Sequence, residues 1–173
     1  MSHGSAALQL RLLLETDADA ISEAFAALGV AKPARRYSDY FAEQQLGIRD
    51  CWLAWLDGEL AGYITLHWNP LYPGIAGKGV PEIQDVNVLV PFRKQGMASR
   101  LLELAEQSAK PRAAAVAIAV GLHPGYNAAQ RLYIRRGYVP DGLGVTHDDR
   151  YVQEGELVPF DDQLMLHLMK VLK

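Results

Sequence analysis

The pattern of apolar and polar positions predicts alternating strands and helices from the start of the chain. Residues 8–14 are rich in leucine, which is typical of a strand covered on both faces. Thr16 followed by Asp19 resembles a short capping box and predicts a helix start. Apolar residues from Ile21 to Leu28 then recur with a helical period, and Gly29 is suited to end that helix.

A hairpin is the clearest local prediction. Residues 52–56 and 59–68 are strand-like, and Asp57-Gly58 between them tolerates the two positive φ angles of a type I′ turn. A less regular helical pattern precedes the hairpin at residues 38–46. Residues 69–80 contain too many prolines and glycines for a regular element and are predicted to form a surface loop.

The second half of the chain repeats strand and helix. The predicted elements are a strand at 83–90, a helix at 97–108, a strand at 113–120, a helix at 127–136 and a last strand at 163–172. The element order β-α-α-β-β-β-α-β-α-β-β predicts an α/β fold. We expect one domain over residues 8–173, preceded by a disordered or vector-derived leader at residues 1–7.

Composition narrows the class of protein. With 173 residues, 50% of them hydrophobic and 21% charged, the chain has an ordinary globular composition. No apolar run approaches the ~20 residues that a membrane helix needs. Cys51 is the only cysteine, which excludes an intrachain disulfide and fits a cytoplasmic protein. A net charge of -3 argues against nucleic acid as a partner, and no membrane partner is expected.

One turn carries the features of an anion site. A strand ends at Val90, and the following segment, residues 93–98 (Arg-Lys-Gln-Gly-Met-Ala), leads directly into a helix. The first turn of a helix has peptide N–H groups without intrahelical partners, and these can hold a pyrophosphate. Gly96 and Ala98 are small enough to let phosphates approach the backbone.

Two segments resemble the GNAT superfamily of N-acetyltransferases. Residues 93–98 resemble the family's Arg/Gln-x-x-Gly-x-Gly/Ala signature, which binds the pyrophosphate of acetyl-coenzyme A. Residues 127–138 resemble its Asn-x-x-Ala-x-x-Leu-Tyr-x-x-x-Gly-Phe segment, although Gln130 stands at the alanine position. The order and spacing of the two segments also match, and the resemblance covers most of residues 8–172.

The resemblance implies a single mixed, mainly antiparallel sheet with helices on both faces. It implies acetyl-coenzyme A as co-substrate, no metal, and strands that splay apart around the cofactor. The acetyl group would pass directly to a primary amine in a ternary complex, so Cys51 has no covalent role. The residues expected to bind the cofactor are Val88, Val90, Arg93, Lys94, Gln95, Gly96, Met97, Ala98, Ser99 and Asn127.

Two carboxylates are candidates for the base that deprotonates the amine. Glu82 stands at the position of the base in the histone-acetylating branch of the family, and Asp85 matches an acidic position in the polyamine branch. Under strict alternation they lie on opposite faces of the strand, and Glu82 is the first choice. Tyr133 corresponds to the family tyrosine that protonates the departing thiolate.

The sequence leaves the identity of the amine acceptor open. A small-molecule amine is favoured over a protein, and a homodimer is one possibility. Residues 141–162 contain seven acids against the single base Arg150, a formal charge of -6, which could attract a cationic amine or could form only a solvated surface. The competing functional class is a non-catalytic module that binds or senses coenzyme A.

Overall fold

The computed structural model describes residues 7–173. The leader predicted for residues 1–7 therefore lies, apart from Ala7, outside the described residues. By its contacts the chain divides into two compact units. The first unit contains Met1–His67 and Asp85–Ala105, and the second contains Trp68–Gln84 and Glu106–Lys173.

Eight strands and four α-helices are found in residues 7–173. The strands are β1 Leu8–Leu12, β2 Arg49–Leu56, β3 Glu59–His67, β4 Glu82–Val88, β5 Ala115–Gly121, β6 Val139–His147, β7 Arg150–Tyr151 and β8 Leu164–Val171. The helices are α1 Ala18–Ala26, α2 Ala34–Gln45, α3 Met97–Ala109 and α4 Asn127–Arg135. No helix of this part of the chain has the length and apolar character to cross a membrane.

In the first unit the strand order is β1-β2-β3, followed by the part of β4 from Asp85 onward. β1 pairs with β2, and β2 pairs with β3, antiparallel in both cases. The predicted hairpin is confirmed: Asp57 and Gly58 have φ angles of 51° and 84°, the two positive values that a type I′ turn requires.

Asp17 organises the start of the first helical segment, which differs from the predicted pairing of Thr16 with Asp19. A single turn of 3₁₀ helix, Glu15–Asp17, precedes α1. The Asp17 carboxylate therefore reaches back to accept the backbone N–H of Leu14 at 2.7 Å, and Arg11 donates to the same carboxylate. α2 begins at Ala34, earlier than predicted, because Pro33 supplies a fixed φ suited to a helix start.

Helices and strands of the first unit enclose one apolar core. Its buried members are Leu13, Ala18, Ile21, Phe25, Tyr37, Cys51, Leu53, Leu60, Tyr63 and Leu89. At one position the packing is backbone against backbone. A Cβ atom on Gly62 would collide with the carbonyl oxygen of Asn87 and lie 3.1 Å from the Cα atom of Val88.

In the second unit the strand order runs from the start of β4 through β5 and β8 to β6 and β7. Glu82 and Ile83 pair in parallel with Ala117 and Ile118 of β5, and the other pairs in the unit are antiparallel. β4 contributes to both units. The predicted α/β class with a mixed, mainly antiparallel sheet is confirmed.

The predicted surface loop at residues 69–80 is only partly exposed. It contains no strand or helix, as expected, but Tyr72 and Ile75 are 3% and 1% exposed and pack with Ala117 of β5. The prolines and glycines of residues 69–80 correctly predicted the irregular backbone of this loop. The prediction of an entirely superficial loop was wrong, because its apolar side chains cover the sheet.

A buried carboxylate joins three elements of the second unit. Glu106 of α3 accepts two hydrogen bonds from Arg136, one from the Tyr138 hydroxyl and one from Lys170 of β8. Burial alone would raise the pKa of Glu106, but its hydrogen bonds with Arg136 and Lys170 outweigh this effect and lower it. The charged form of Glu106 is therefore favoured by folding.

We predict an acid-sensitive stability that depends on Glu106. Because its pKa is lowered in the folded state, its contribution is present above the ordinary glutamate pKa and is lost as the pH falls through the lowered value. Glu106→Gln is expected to reduce the free energy of unfolding at pH 7, with the difference from wild type shrinking below about pH 4. Urea denaturation across this range measures it, with exposed Glu103→Gln as control. A difference independent of pH would contradict the prediction.

Candidate active site

The predicted anion-binding turn lies between β4 and α3 in the first unit. A 3₁₀ turn at Val90–Phe92 follows β4, and α3 begins at Met97. The N–H of Arg100 donates to the carbonyl of Gly96 at 3.1 Å, the first bond of the helix. The N–H groups of residues 97–99 precede this first bond, so they are the donors that a helix start leaves for an anion.

Gly96 fits the requirement for a cradle around phosphate groups. Its φ angle is 77°, a left-handed value that side chains rarely adopt, and a Cβ built on it would meet no atom within 4 Å. Lys94 also has a positive φ, 61°. The space beside the Gly96 backbone is open, so the turn fits the pyrophosphate that the sequence predicted there.

The side chains of the turn have different positions. Arg93, Lys94 and Gln95 are exposed, whereas Met97 is buried and can contribute only its backbone to a ligand. The Arg93 Nε atom donates to the Val88 carbonyl at 3.0 Å, and the Gln95 amide donates to the Pro91 carbonyl at 3.0 Å. Arg93 and Gln95 thus also stabilise the shape of the turn.

The strand leading into the turn is shorter than predicted. It ends at Val88, because Pro91 lies in the 3₁₀ turn that starts at Val90. The Val90 carbonyl accepts the N–H of Arg93, and the Val88 carbonyl accepts the Arg93 side chain. Both valines therefore have occupied carbonyl groups, and their proposed backbone contacts to a pantetheine arm remain a prediction.

Asp85 lies in a charged and aromatic cluster of the first unit. Its carboxylate accepts the Tyr40 hydroxyl at 2.5 Å and lies 3.6 Å from Arg36 and 4.0 Å from Lys32. Burial lowers the pKa of Lys32, an effect that the charge of Asp85 partly offsets. Asp85 itself has a φ of 53°, so the simple alternation of side chains along β4 does not continue through it.

Glu82 has a different environment, in the second unit. Its side chain is 7% exposed, and one carboxylate oxygen accepts the Gln84 amide at 2.7 Å. The other oxygen lies 3.6 Å from the Nδ1 atom of His167. Among residues 7–173 no lysine or arginine forms an ion pair with Glu82.

The second predicted motif forms α4 of the second unit. Asn127 is its exposed first residue, and Tyr133 is buried. Burial raises the pKa of the Tyr133 hydroxyl above its ordinary value. Gln130, which departs from the family pattern, donates its amide to the carbonyl of Gly121 at 2.8 Å and so ties the helix to the end of β5.

Most acids of residues 141–162 have partners within the second unit. Asp141 accepts the Tyr72 hydroxyl, Asp161 lies 3.1 Å from His147, and Asp162 lies 2.7 Å from His123. Glu156 pairs with Arg150. Asp149 and Glu154 are exposed. Part of the negative charge of the segment is therefore directed at His147 and His123.

His167 and Tyr72 were not singled out by the sequence analysis, yet both lie beside Glu82 or its partner. The His167 ring stacks on Tyr72 with centroids 3.5 Å apart. His167 stands between Leu166 and Leu168 of an apolar strand, and a polar residue at such a position was the available signal. Tyr72 gave no comparable signal within its proline- and glycine-rich loop.

The family model described as "Acetyltransferase (GNAT) family" matches residues 18–138. The chain therefore belongs to this family. It is an acetyl-CoA-dependent acyltransferase, with acetyl-CoA as its co-substrate. No curated protein matches the chain at a significant level.

Solved structures with the same fold support the assignment of fold class. An N-acetyltransferase from Staphylococcus aureus Mu50 is 17% identical, covers 96% of this chain and 99% of its own, and has a TM-score of 0.71. An acetyl transferase from Salmonella typhimurium that modifies the N-terminal serine of ribosomal protein L7/L12 is 14% identical, with coverages of 98% and 97% and a TM-score of 0.71.

A third similar structure contains the cofactor. The protein yncA from Salmonella typhimurium was solved with acetyl-CoA; it is 19% identical, with coverages of 96% and 95% and a TM-score of 0.67. At these identities the likeness shows a shared fold. The identities of the acceptor and of the catalytic residues have to be argued from this chain itself.

We predict that the backbone at Gly96 is required for cofactor binding. Gly96→Glu places a bulky anion in the open space beside the helix start and is expected to abolish coenzyme A binding in calorimetry. Arg93→Ala is expected to weaken binding by about 1–3 kcal/mol, the range for a charge-assisted contact.

Gly47→Glu is the matched control for this experiment. Gly47 has a φ of 70°, and its Cβ would also meet no atom within 4 Å, so charge change and backbone strain are similar. We expect Gly47→Glu to bind coenzyme A like wild type. Unchanged affinity in a folded Gly96→Glu protein would overturn the assignment of the turn.

Proposed function

We propose that this acetyltransferase transfers the acetyl group to a primary amine by direct attack in a ternary complex. Acetyl-CoA supplies a thioester carbonyl that a neutral amine can attack. An alkylamine is mostly protonated at pH 7 and has no free lone pair, so the enzyme needs a base. We assign this role to Glu82, and we assign to Tyr133 the donation of a hydrogen bond or proton to the departing thiolate.

The environment of Glu82 is the observation that carries the proposal. Its carboxylate is buried, and the groups beside it are an amide and an imidazole rather than a lysine or arginine. A carboxylate without a cationic partner can accept a proton without breaking an ion pair. Glu82 can therefore hold the proton that the amine loses.

Asp85 is the poorer candidate for the base. Two cations, Lys32 and Arg36, lie near its carboxylate, and the Tyr40 hydroxyl already occupies one oxygen. Protonating Asp85 would forfeit these interactions. We infer that Asp85 instead holds α2 and the tyrosines of the first unit against β4.

The raised pKa of Tyr133 limits what this residue does. Burial keeps the phenol neutral, with a pKa above its ordinary value, whereas an alkyl thiol has a pKa of about 8.5. Complete transfer of the phenolic proton to the thiolate is therefore unfavourable. We infer that Tyr133 stabilises the developing thiolate mainly by donating a hydrogen bond.

For the acceptor we propose a small cationic amine, attracted by the negative charge of residues 141–162. An N-terminal α-amine is also a primary amine, and one neighbour in fold acts on the N-terminal serine of a ribosomal protein. A thiol-release assay over diamines, amino acids and a peptide with N-terminal serine separates these acceptors. Hydrolysis alone with every amine would instead favour a module that only binds coenzyme A.

We predict that the two carboxylates of β4 differ in kinetic effect. Glu82→Gln is expected to lower kcat about a hundredfold, the size of effect for loss of a general base. Activity should recover partly at high pH, where the acceptor is already neutral. Steady-state kinetics from pH 6 to pH 10 measures this, with Asp85→Asn as the matched control in the same strand.

The outcome for Asp85→Asn decides the assignment. We expect it to destabilise the protein without the recovery at high pH, because it removes an ion-pair partner rather than the base. If Asp85→Asn shows that recovery and Glu82→Gln keeps full activity at every pH, then Asp85 is the base.

Tyr133→Phe tests the departure of the thiolate separately. We expect a smaller loss of kcat than for Glu82→Gln, with no recovery at high pH, because a neutral amine does not replace the missing donor. The nearby Tyr138→Phe is the control, since its hydroxyl is bound to Glu106. If the activities of Tyr133→Phe and Glu82→Gln recovered equally at high pH, the separate roles of a thiolate donor and a base would be contradicted.

A further prediction concerns the acidic segment. Replacing Asp148, Asp149 and Glu154 together by their amides is expected to raise KM for a cationic acceptor and leave the affinity for acetyl-CoA unchanged. Added salt should have the same effect on wild type through screening. A KM that responds to neither change would leave the segment a solvated surface.

A further inference from the structure

His167 has a buried nitrogen atom that lies close to the proposed base. The residue is 3% exposed, and its Nδ1 atom has no hydrogen-bond partner among the described residues. Leaving a buried ring nitrogen unpaired is costly. The nearest candidate is the Glu82 carboxylate oxygen, 3.6 Å away.

The other ring nitrogen is bonded. The Nε2 atom of His167 lies 2.9 Å from the Thr146 hydroxyl. In a neutral imidazole one nitrogen carries the proton and the other accepts. If Thr146 donates to Nε2, the proton is on Nδ1 and points at the Glu82 carboxylate. In the opposite tautomer the lone pair of Nδ1 would face the negative charge of the Glu82 carboxylate, which is unfavourable.

The orientation of the ring is fixed by stacking. Tyr72 lies parallel to His167, with an interplanar angle of 2°. The Tyr72 hydroxyl donates to Asp141 and accepts from the Tyr151 hydroxyl, so neither tyrosine hydroxyl is directed at Glu82. Rotation of the imidazole out of its plane would break the stack on Tyr72, and a 180° flip within the plane would break the bond to Thr146.

The distance of 3.6 Å is longer than a hydrogen bond but within reach of one. Hydrogen bonds of catalytic groups are often long in a free enzyme and shorten when substrate binds. The groups around the pair are Gln84 on the other carboxylate oxygen, Thr146, and Tyr72 with its partners Asp141 and Tyr151. In the described part of the chain none of these is a cation.

We propose that His167 is a positioning residue for Glu82: Thr146 and Tyr72 hold the imidazole so that its Nδ1–H faces the carboxylate and keeps it oriented towards the amine. The proposal rests on the role of Glu82 as base. When the amine loses its proton to Glu82, His167 retains its own proton, so no further acceptor is needed.

Two substitutions at position 167 separate the two ring nitrogens. His167→Asn keeps an N–H donor near the place of Nδ1, whereas His167→Gln keeps a polar group near the place of Nε2 and loses the donor to Glu82. Both lose the stack on Tyr72. The two variants differ in the contact with Glu82 and in the bond to Thr146, and Thr146→Val measures the second difference by itself.

The pH profile of kcat/KM is the kinetic measurement. We expect His167→Gln to move the acid limb to higher pH by about one unit, because the carboxylate loses a donor, with KM for acetyl-CoA unchanged. His167→Asn should follow the wild-type limb. Thr146→Val keeps the His167 ring but removes the hydroxyl that selects its tautomer. We expect this variant to move the acid limb in the same direction by a smaller amount. Equal activities and equal limbs in all three variants would overturn the proposal.

Nitrogen NMR of the resting enzyme tests the contact without using activity. We expect the neutral ring of His167 to carry its proton on Nδ1, and the resonance of this proton to move in Glu82→Gln. A proton on Nε2 would overturn the proposal even if Glu82 is the base. A proton on Nδ1 that responds to Glu82, together with a fully active Glu82→Gln, would overturn the proposed function and leave the contact as a structural one.

Discussion

The peptide N–H groups that precede the first bond of α3 are the constraint on which the proposed cofactor site depends. An anion can reach them only if no side chain stands in front, and the left-handed φ of Gly96 turns the chain so that the space stays open. The bonds from Arg93 and Gln95 to backbone carbonyls hold this geometry. We infer that the proposed cofactor binding at this turn is mainly a property of backbone shape.

Glu82 and Asp85, two carboxylates three residues apart on β4, have different surroundings. Asp85 is held by two cations and a tyrosine, which favours a structural role. Glu82 is buried beside an amide and an imidazole, and no lysine or arginine of residues 7–173 forms an ion pair with it. The contrast arises from the elements that pack on each residue, α2 in one case and β8 in the other, and it explains why the residue type alone could not decide between them.

The sequence was most informative where local chemistry determines the backbone. The Asp57-Gly58 turn and the helix after Gly96 follow from the conformations that glycine and aspartate tolerate, and both were predicted. The sequence was less informative where distant residues meet. Tyr72, His167 and Thr146 come from a loop and two strands, and only folding brings them together. The end of β4 at Val88 depends on the 3₁₀ turn that contains Pro91. A proline predicts the end of a strand less exactly than an Asp-Gly pair predicts a turn.

Gly62 shows how little freedom one position in the first unit has. The atoms that a side chain at this position would meet are the backbone of Asn87 and Val88, not the tip of a flexible residue. Compensating substitutions elsewhere cannot remove a backbone atom, so no second-site change restores room for a larger residue. In a saturation library selected for folded protein, codon 62 is therefore expected to return glycine.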